Sequence, residues 1–461
     1  MLRLTWVQPE DLLGHELRQA ALDGRDAAAV ADRWRAAGGA EAPVRAGASV
    51  EPASPSLRLL AEDLLDELAA LPSPRAAAEP TDLDRIKDLC PDWPAPPTAG
   101  PGPGRARPAP DPVRLEAGWL GRAVGCLLGK PVEKLPLDAI RRLARATGNW
   151  PPRSYFTARG LPADLAAAHP WNRRSAATSL AENIDGMPED DDLDYPLLNL
   201  LLLRRHGRDF TTEDVARLWL DELPAGRAFT AERVALRNLL AGLEPPHTAR
   251  YRNPFREWIG ALIRADLHGW TNPGDPAAAA GQAHRDAVLT HTAGGVHAAM
   301  FAAAVIAAAT TGTHDVHACL RTGLRVVPPG SRLAGAVRHA VRLARTHADF
   351  DVVVDALHAA HGARHHWVHA VPNTALIAAA LTHADGDFTG SVSRAVSGGW
   401  DTDSNGATAG SVAALLTGDP AALPQHLTAP LKNRLASSVA GFDGTGFDTL
   451  AHLTHREATR P

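Results

Sequence analysis

From Leu115 onward the chain is a succession of helix-length stretches rich in alanine and leucine, poor in β-branched residues and punctuated by Pro or Gly. Small and straight-chain residues lose little rotamer freedom in a helix, whereas Pro and Gly end one, so such a run folds as packed helices. The spacing predicts helices at 115–128, 195–205, 214–220, 231–240, 254–267, 277–289, 296–308, 333–346, 352–360, 374–380 and 407–416. Strands do not alternate with helices, which argues against a doubly wound sheet or a barrel. The expected class is therefore all-α: a compact multi-helix domain with a small helical N-terminal module.

That module is read from residues 1–90. Ser54 and Pro55 open a helix with Leu57, Leu60, Leu64, Leu68 and Leu71 on one face, and such a face needs a partner. The stretch 15–35 supplies one, ending at Gly38-Gly39. Residues 91–112 carry Pro91, Pro94, Pro96, Pro97, Pro101, Pro103, Pro108, Pro110 and Pro112 among glycines, the composition of a stiff linker. Residues 113–461 then form the main domain.

An apolar share of 45% over 461 residues is enough for a sizeable core. The net charge of -5 is small and the basic residues are dispersed, so nucleic acid and membrane surfaces are not the expected partners. Cys90, Cys126 and Cys319 lack metal-ligand spacing and cannot all pair, as in a reducing cytoplasm. The first residues lack the apolar core of a signal peptide, and the alanine-rich run 298–308 reads as a buried helix. The expected location is cytoplasmic.

Two acidic clusters stand far apart in this chain. One is Glu189-Asp190-Asp191-Asp192, followed by Asp194; the other is Asp401-Thr402-Asp403-Ser404-Asn405, preceded by Gly398-Gly399-Trp400. Singly, they read as a solvated acidic loop and an Asx-rich turn. Together they read as two halves of one site, because adjacent aspartates repel unless a cation compensates. Their hard oxygens suit Mg²⁺, Mn²⁺ or Ca²⁺ better than zinc.

Three further segments carry polar groups that a helical scaffold does not need. Gly125-Cys126-Leu127-Leu128-Gly129-Lys130-Pro131 permits close approach and ends a helix, leaving Glu133 just beyond it. In the stretch 253–264, Gly260 and Ala261 offer backbone amides, and Arg264 can pair with a phosphate or with Asp266. His291 with Gly294 and Gly295 forms the third.

With these pieces in order, the chain resembles the ADP-ribosylglycohydrolases over roughly 115–441. The resemblance rests on Gly121, Gly125, Gly129 and Glu133, on Glu189 to Asp192, on Gly260 to Arg264, on Thr290-His291, and on Gly398 to Ala407. It implies an all-helical fold, two Mg²⁺ ions (or Mn²⁺) between the acidic clusters, and hydrolysis at the anomeric carbon of an ADP-ribosyl group. Glu189, Asp190, Asp191, Asp401, Asp403 and Ser404 match its metal ligands, with Glu189 at a place where relatives often have threonine. Glu133 matches its loop glutamate, and Glu133 or Asp192 would act as general acid or base. Gly260, Ala261, Arg264, His291, Gly294 and Gly295 would contact substrate. Trp258-Ile259 replaces the serine, asparagine and glycine run that cradles a diphosphate in relatives. A free nucleotide sugar or other small ribosyl compound is therefore an expected substrate beside an ADP-ribosylated protein. A ribosyl-binding protein without turnover is the alternative.

Overall fold

The computed structural model describes residues 3–43, 47–95 and 109–460, and these contain 22 helices and no strand. Most of the helices expected after residue 112 are present, several of them longer: Pro112–Gly129, Asp191–His206, Ala293–Thr310, Ala370–His383 and Thr402–Thr417 are the ones that build the site. Ala293–Thr310 is apolar on every face. It has the length and composition of a membrane span, yet 94% of its window is buried within the protein, as the central helix of a large core.

The stretch 254–267 departs from expectation. It forms the short 3₁₀ helix Ile259–Arg264 and then the single turn and a half Asp266–Trp270. Trp258 is held extended by a bridge to His369, and the Ile259 amide donates to the Val368 carbonyl at 3.0 Å. Periodicity sees only local spacing; here a long-range backbone pairing consumes the groups a helix would have used.

Helices Pro112–Gly129 and Thr402–Thr417 cross antiparallel with their glycines face to face. A Cβ on Gly121, Gly125 or Gly129 would collide with the backbone of Gly410, Gly406 or Thr402 respectively. Thr402 closes the contact, its hydroxyl donating to the Gly129 carbonyl at 2.8 Å. The repeated glycines thus serve packing, and the packing delivers Lys130 and Glu133 to the start of the helix bearing Asp403.

The N-terminal residues share this core. Stretch 15–35 is two helices: Pro9–Asp23 ends at Gly24 in the left-handed region (φ 72°), and Ala28–Ala36 follows. Ser54 caps Pro55–Ala70 by accepting from the Leu57 amide at 3.2 Å. Leu12, Leu13, Leu64, Leu65 and Leu68 are buried in the same apolar cluster as the body. Arg256 pairs with Glu16 at 2.6 Å and Asp23 at 2.9 Å, while Arg332 joins Glu79 at 2.6 Å and Glu257 at 2.8 Å. Pro96, Pro97, Pro101, Pro103 and Pro108 of the expected linker lie outside the described residues.

Candidate active site

Asp190 is the N-cap of helix Asp191–His206, its carboxylate accepting from the Asp192 amide at 2.9 Å. A helix N-terminus favours negative charge, which is why so many carboxylates tolerate one short turn. Lys130 inserts beside it. Its side chain is buried, ion-pairs with Asp190 and donates to the Glu189 carbonyl at 3.3 Å. Burial would raise the Asp190 carboxyl, but the adjoining ammonium outweighs burial and holds it below the usual range.

Asp192 is equally occupied. The wholly buried Arg122 donates to one of its oxygens at 2.9 Å and to its carbonyl at 2.7 Å, and bonds Asp266 at 3.0 Å. The Ser404 hydroxyl donates to the other Asp192 oxygen at 3.2 Å. Glu189 pairs with Arg227 at 2.8 Å; burial and the nearby Asp194 push its carboxyl up to about 7. Asp191 differs from its neighbours. It lines the cleft, and no basic side chain among the described residues lies within ion-pairing distance of it. Burial, Asp190, Asp192 and Asp403 push its carboxyl well above the usual range.

The second cluster is aimed by a bent approach. Gly399 and Trp400 both take left-handed conformations (φ 75° and 59°), a rare state for tryptophan. It is held by a 4.2 Å stack of Trp400 on His358 and by His358 Nε2 at 2.8 Å from the Gly398 carbonyl. The Asn373 side-chain oxygen accepts from the Asp401 amide at 3.2 Å and from Asn405 at 2.7 Å. Asp401 and Asp403 are then buried side by side, hydrogen-bonded to each other. Burial and the surrounding carboxylates push Asp401 well above the usual range and Asp403 up to about 7. Glu133 joins them, held by Asn172 at 2.6 Å and Lys134 at 2.9 Å.

Both clusters line one cavity of about 640 Å³. Two sets of donor atoms lie within 4.8 Å of one another there: Cys126, Asp190 and Asp192, and Glu133, Asp401 and Asp403. The second set is three hard carboxylates, and no Lys or Arg among the described residues pairs with Asp401 or Asp403; that donor set fits Mg²⁺ or Mn²⁺.

Of the residues expected to touch substrate, Gly260 lines the cavity, whereas Ala261, Arg264, His291, Gly294 and Gly295 do not. Arg264 is wholly buried, bonding Asp286 at 2.9 Å, Glu232 at 2.8 Å and Thr290 at 2.9 Å; its partner is not Asp266, which Arg122 holds. His291 is buried against Thr290 at 2.6 Å. A Cβ on Gly294 or Gly295 would meet the Glu257 carboxylate or the Arg256 carbonyl, so these glycines admit that strand of chain rather than a ligand. At Gly260 the space a Cβ would need belongs to Glu232.

Several lining residues carried no sequence signal. Trp6 comes from the N-terminus, Arg227 from the short 3₁₀ helix Ala225–Arg227, Phe229 from the N-cap of helix Thr230–Leu240, and Trp367 from the turn before Ala370–His383. Lys130 lay inside a recognised motif, but only the crossing of the two glycine-bearing helices shows that it points at Asp190.

A family model described as ADP-ribosylglycohydrolase matches residues 109–460. No curated protein matches. A solved structure titled "ADP-ribosylglycohydrolase-related protein complex" is 21% identical, with 75% of this chain and 98% of that chain covered and a TM-score of 0.47.

Proposed function

The chain belongs to the ADP-ribosylglycohydrolase family, a family of glycoside hydrolases, and from that premise we propose that its cleft hydrolyses the glycosidic bond of an ADP-ribosyl-type substrate with the help of a divalent metal. The observation that carries this reading is the meeting of Glu133, Asp401 and Asp403 within 4.8 Å, with no Lys or Arg among the described residues ion-paired to either aspartate. These three carboxylates would hold the metal, Mg²⁺ or Mn²⁺. When bound, it would supply Lewis-acid positioning of ribose hydroxyls and water.

The protein's own groups divide the remaining work. Glu133, fixed by Asn172 and Lys134, would be a ligand of the metal, and Asp192, fixed by Arg122 and Ser404, is assigned to holding the site's shape. Asp191 faces the cleft without an ion-pair partner and with a raised affinity for a proton. It is therefore assigned the proton transfer, taking a proton at its carboxylate from the attacking water. The carboxylates around it favour the positive charge that develops on the sugar ring as the leaving group departs. Trp6, Phe229 and Trp367 offer aromatic surface for the rest of the substrate.

The test is release of ADP-ribose, followed chromatographically, from ADP-ribosylated peptides and from free ADP-ribosyl compounds, with Mg²⁺ and with a chelator. Release that needs metal and falls about 10²- to 10⁴-fold in Asp191→Asn, the usual worth of an acid or base group, supports the reading. Tight binding of ADP-ribose with no release from any substrate would instead favour the ribosyl-binding protein.

A further inference from the structure

The acidic cleft offers two sets of metal-donor atoms, and they are not equivalent. In the set formed by Glu133, Asp401 and Asp403, Glu133 is held by Asn172 at 2.6 Å and Lys134 at 2.9 Å, but no Lys or Arg among the described residues pairs with the two aspartates, which bond each other while Asp403 accepts from the Ser404 amide at 3.1 Å. In the set formed by Cys126, Asp190 and Asp192, every carboxylate oxygen already receives a protein donor. Asp190 takes the Asp192 amide at 2.9 Å on one oxygen and the Lys130 ammonium on the other. Asp192 takes Arg122 at 2.9 Å on one and Ser404 at 3.2 Å on the other. The third member is a buried sulfur, a soft donor poorly matched to a hard cation.

Lys130 is fixed where it stands. Gly129 before it is pressed against Thr402, Pro131 after it restricts the chain, and the Ser175 hydroxyl donates to its carbonyl at 3.0 Å. An ammonium is a compact point charge with three donors, the nearest thing a side chain offers to a bound cation. To enter the set of Cys126, Asp190 and Asp192, a metal ion would have to drive this ammonium off Asp190 and leave it buried without a counter-charge.

We propose that Lys130 takes the place of a second metal ion, so that the cleft holds a single divalent cation, at Glu133, Asp401 and Asp403. This rests on the metal-dependent reading above, but it concerns the number and place of the ions rather than the reaction. A built-in cation would pin Asp190 and the N-terminus of its helix at any metal concentration.

Counting Mn²⁺ tests it without recourse to activity. The full chain is saturated with Mn²⁺, freed of excess, and assayed for manganese per chain, with electron paramagnetic resonance to detect a coupled ion pair. The proposal expects one uncoupled ion in the wild type and in Lys130→Arg. It expects two, with a coupled spectrum, in Lys130→Ser, whose folding is checked by its circular dichroism. Asp403→Asn should lose the wild-type ion. Two ions in the wild type overturn the proposal and leave the metal-dependent reading standing; none at saturation overturns that reading itself. A single ion in a folded Lys130→Ser chain, or an undiminished one in Asp403→Asn, overturns the role of Lys130 or the placement of the ion.

Discussion

The acidic part of the cleft and its N-terminal part are held by different forces. The acidic part is built where helix ends meet: an N-cap, a glycine crossing without room for a methyl group, and the buried Arg122 joining Asp192 to Asp266. The N-terminal part is the Thr5-Trp6 turn. Arg233 holds it by donating to the Thr5 hydroxyl at 2.7 Å and carbonyl at 3.2 Å, and Trp6 rests edge-on against Phe255 and Trp258 at 5.5 and 5.8 Å. It lies outside residues 109–460, the span matched by the family model. The acidic part falls within that span. Chemistry should be sensitive to the first, and choice of substrate to the second.

The contrast is sharpest at Arg122. Replacing it by methionine leaves Asp192 and Asp266 buried without their counter-charge, and losing one partner of a buried pair costs about 3–5 kcal/mol. Arg122→Met should therefore lower the midpoint of denaturant unfolding steeply; a midpoint near that of wild type would show that the acidic part is not organised around this pair. Next comes Asp401→Asn with Asp403→Asn. Turnover should fall about 10²- to 10³-fold or more, the scale for removing charge-stabilising groups, and the rise in melting temperature caused by Mg²⁺ should vanish. A persisting Mg²⁺ shift would move the metal elsewhere.

Much of the acidic part was legible in the sequence because its carboxylates crowd into two short windows. Like charges at that density call for a compensating cation, of the protein or bound by it, before any fold is known. The ion pairs that tame them were not legible: Arg122 and Asp192 are separated by 70 positions, and only the packing of helices sets which cation meets which acid. Where Arg264, Gly294 and Gly295 sit was not legible for a related reason, since an arginine or a glycine pair has the same composition whether it faces a ligand or, as the contacts here show, a buried neighbour. The N-terminal part was hidden altogether. Thr5 and Trp6 have no chemical signature, and the proline-rich run that follows suggested separation where the apolar contacts of Leu12, Leu64 and Trp6 are shared with the body.

His15 offers a smaller effect, in the N-terminal part. Its ring lies among Trp6, Phe255, Trp258 and His366, and neither ring nitrogen has a hydrogen-bond partner among the described residues. Burial, helped by Arg18, pushes it down to about 3. The unfolded chain takes up this proton below about pH 6.5, the folded chain only near 3. The stability it contributes is therefore complete above pH 6.5 and is lost as pH falls towards 3, by about 2 kcal/mol on reaching pH 5 at about 1.4 kcal/mol per unit. His361 and His365, both pushed down to about 4 by burial, add slope in the same direction. His15→Phe should flatten the stability profile between pH 7 and 5 without abolishing its slope. An unchanged profile would mean that His15 is not kept neutral by this packing.

The smallest effect is expected where the two parts are most different in kind. Thr5→Ala removes one hydroxyl that meets Arg233 at the cavity edge, a contact whose net worth is about 1 kcal/mol. The acidic part is untouched, so kcat and the stoichiometry of metal should hold. The loosened turn should raise KM by about fivefold, the factor that 1 kcal/mol represents, and more for substrates large enough to reach Trp6 than for small ribosyl compounds. Arg233→Met, which frees the same turn from the other side, should reproduce the pattern, and the double variant should add little because both remove one contact. Steady-state kinetics on a short and a long substrate decide the matter. A fall in kcat with KM unchanged would place the N-terminal turn in the chemistry, and equal KM changes for both substrates would remove it from substrate choice.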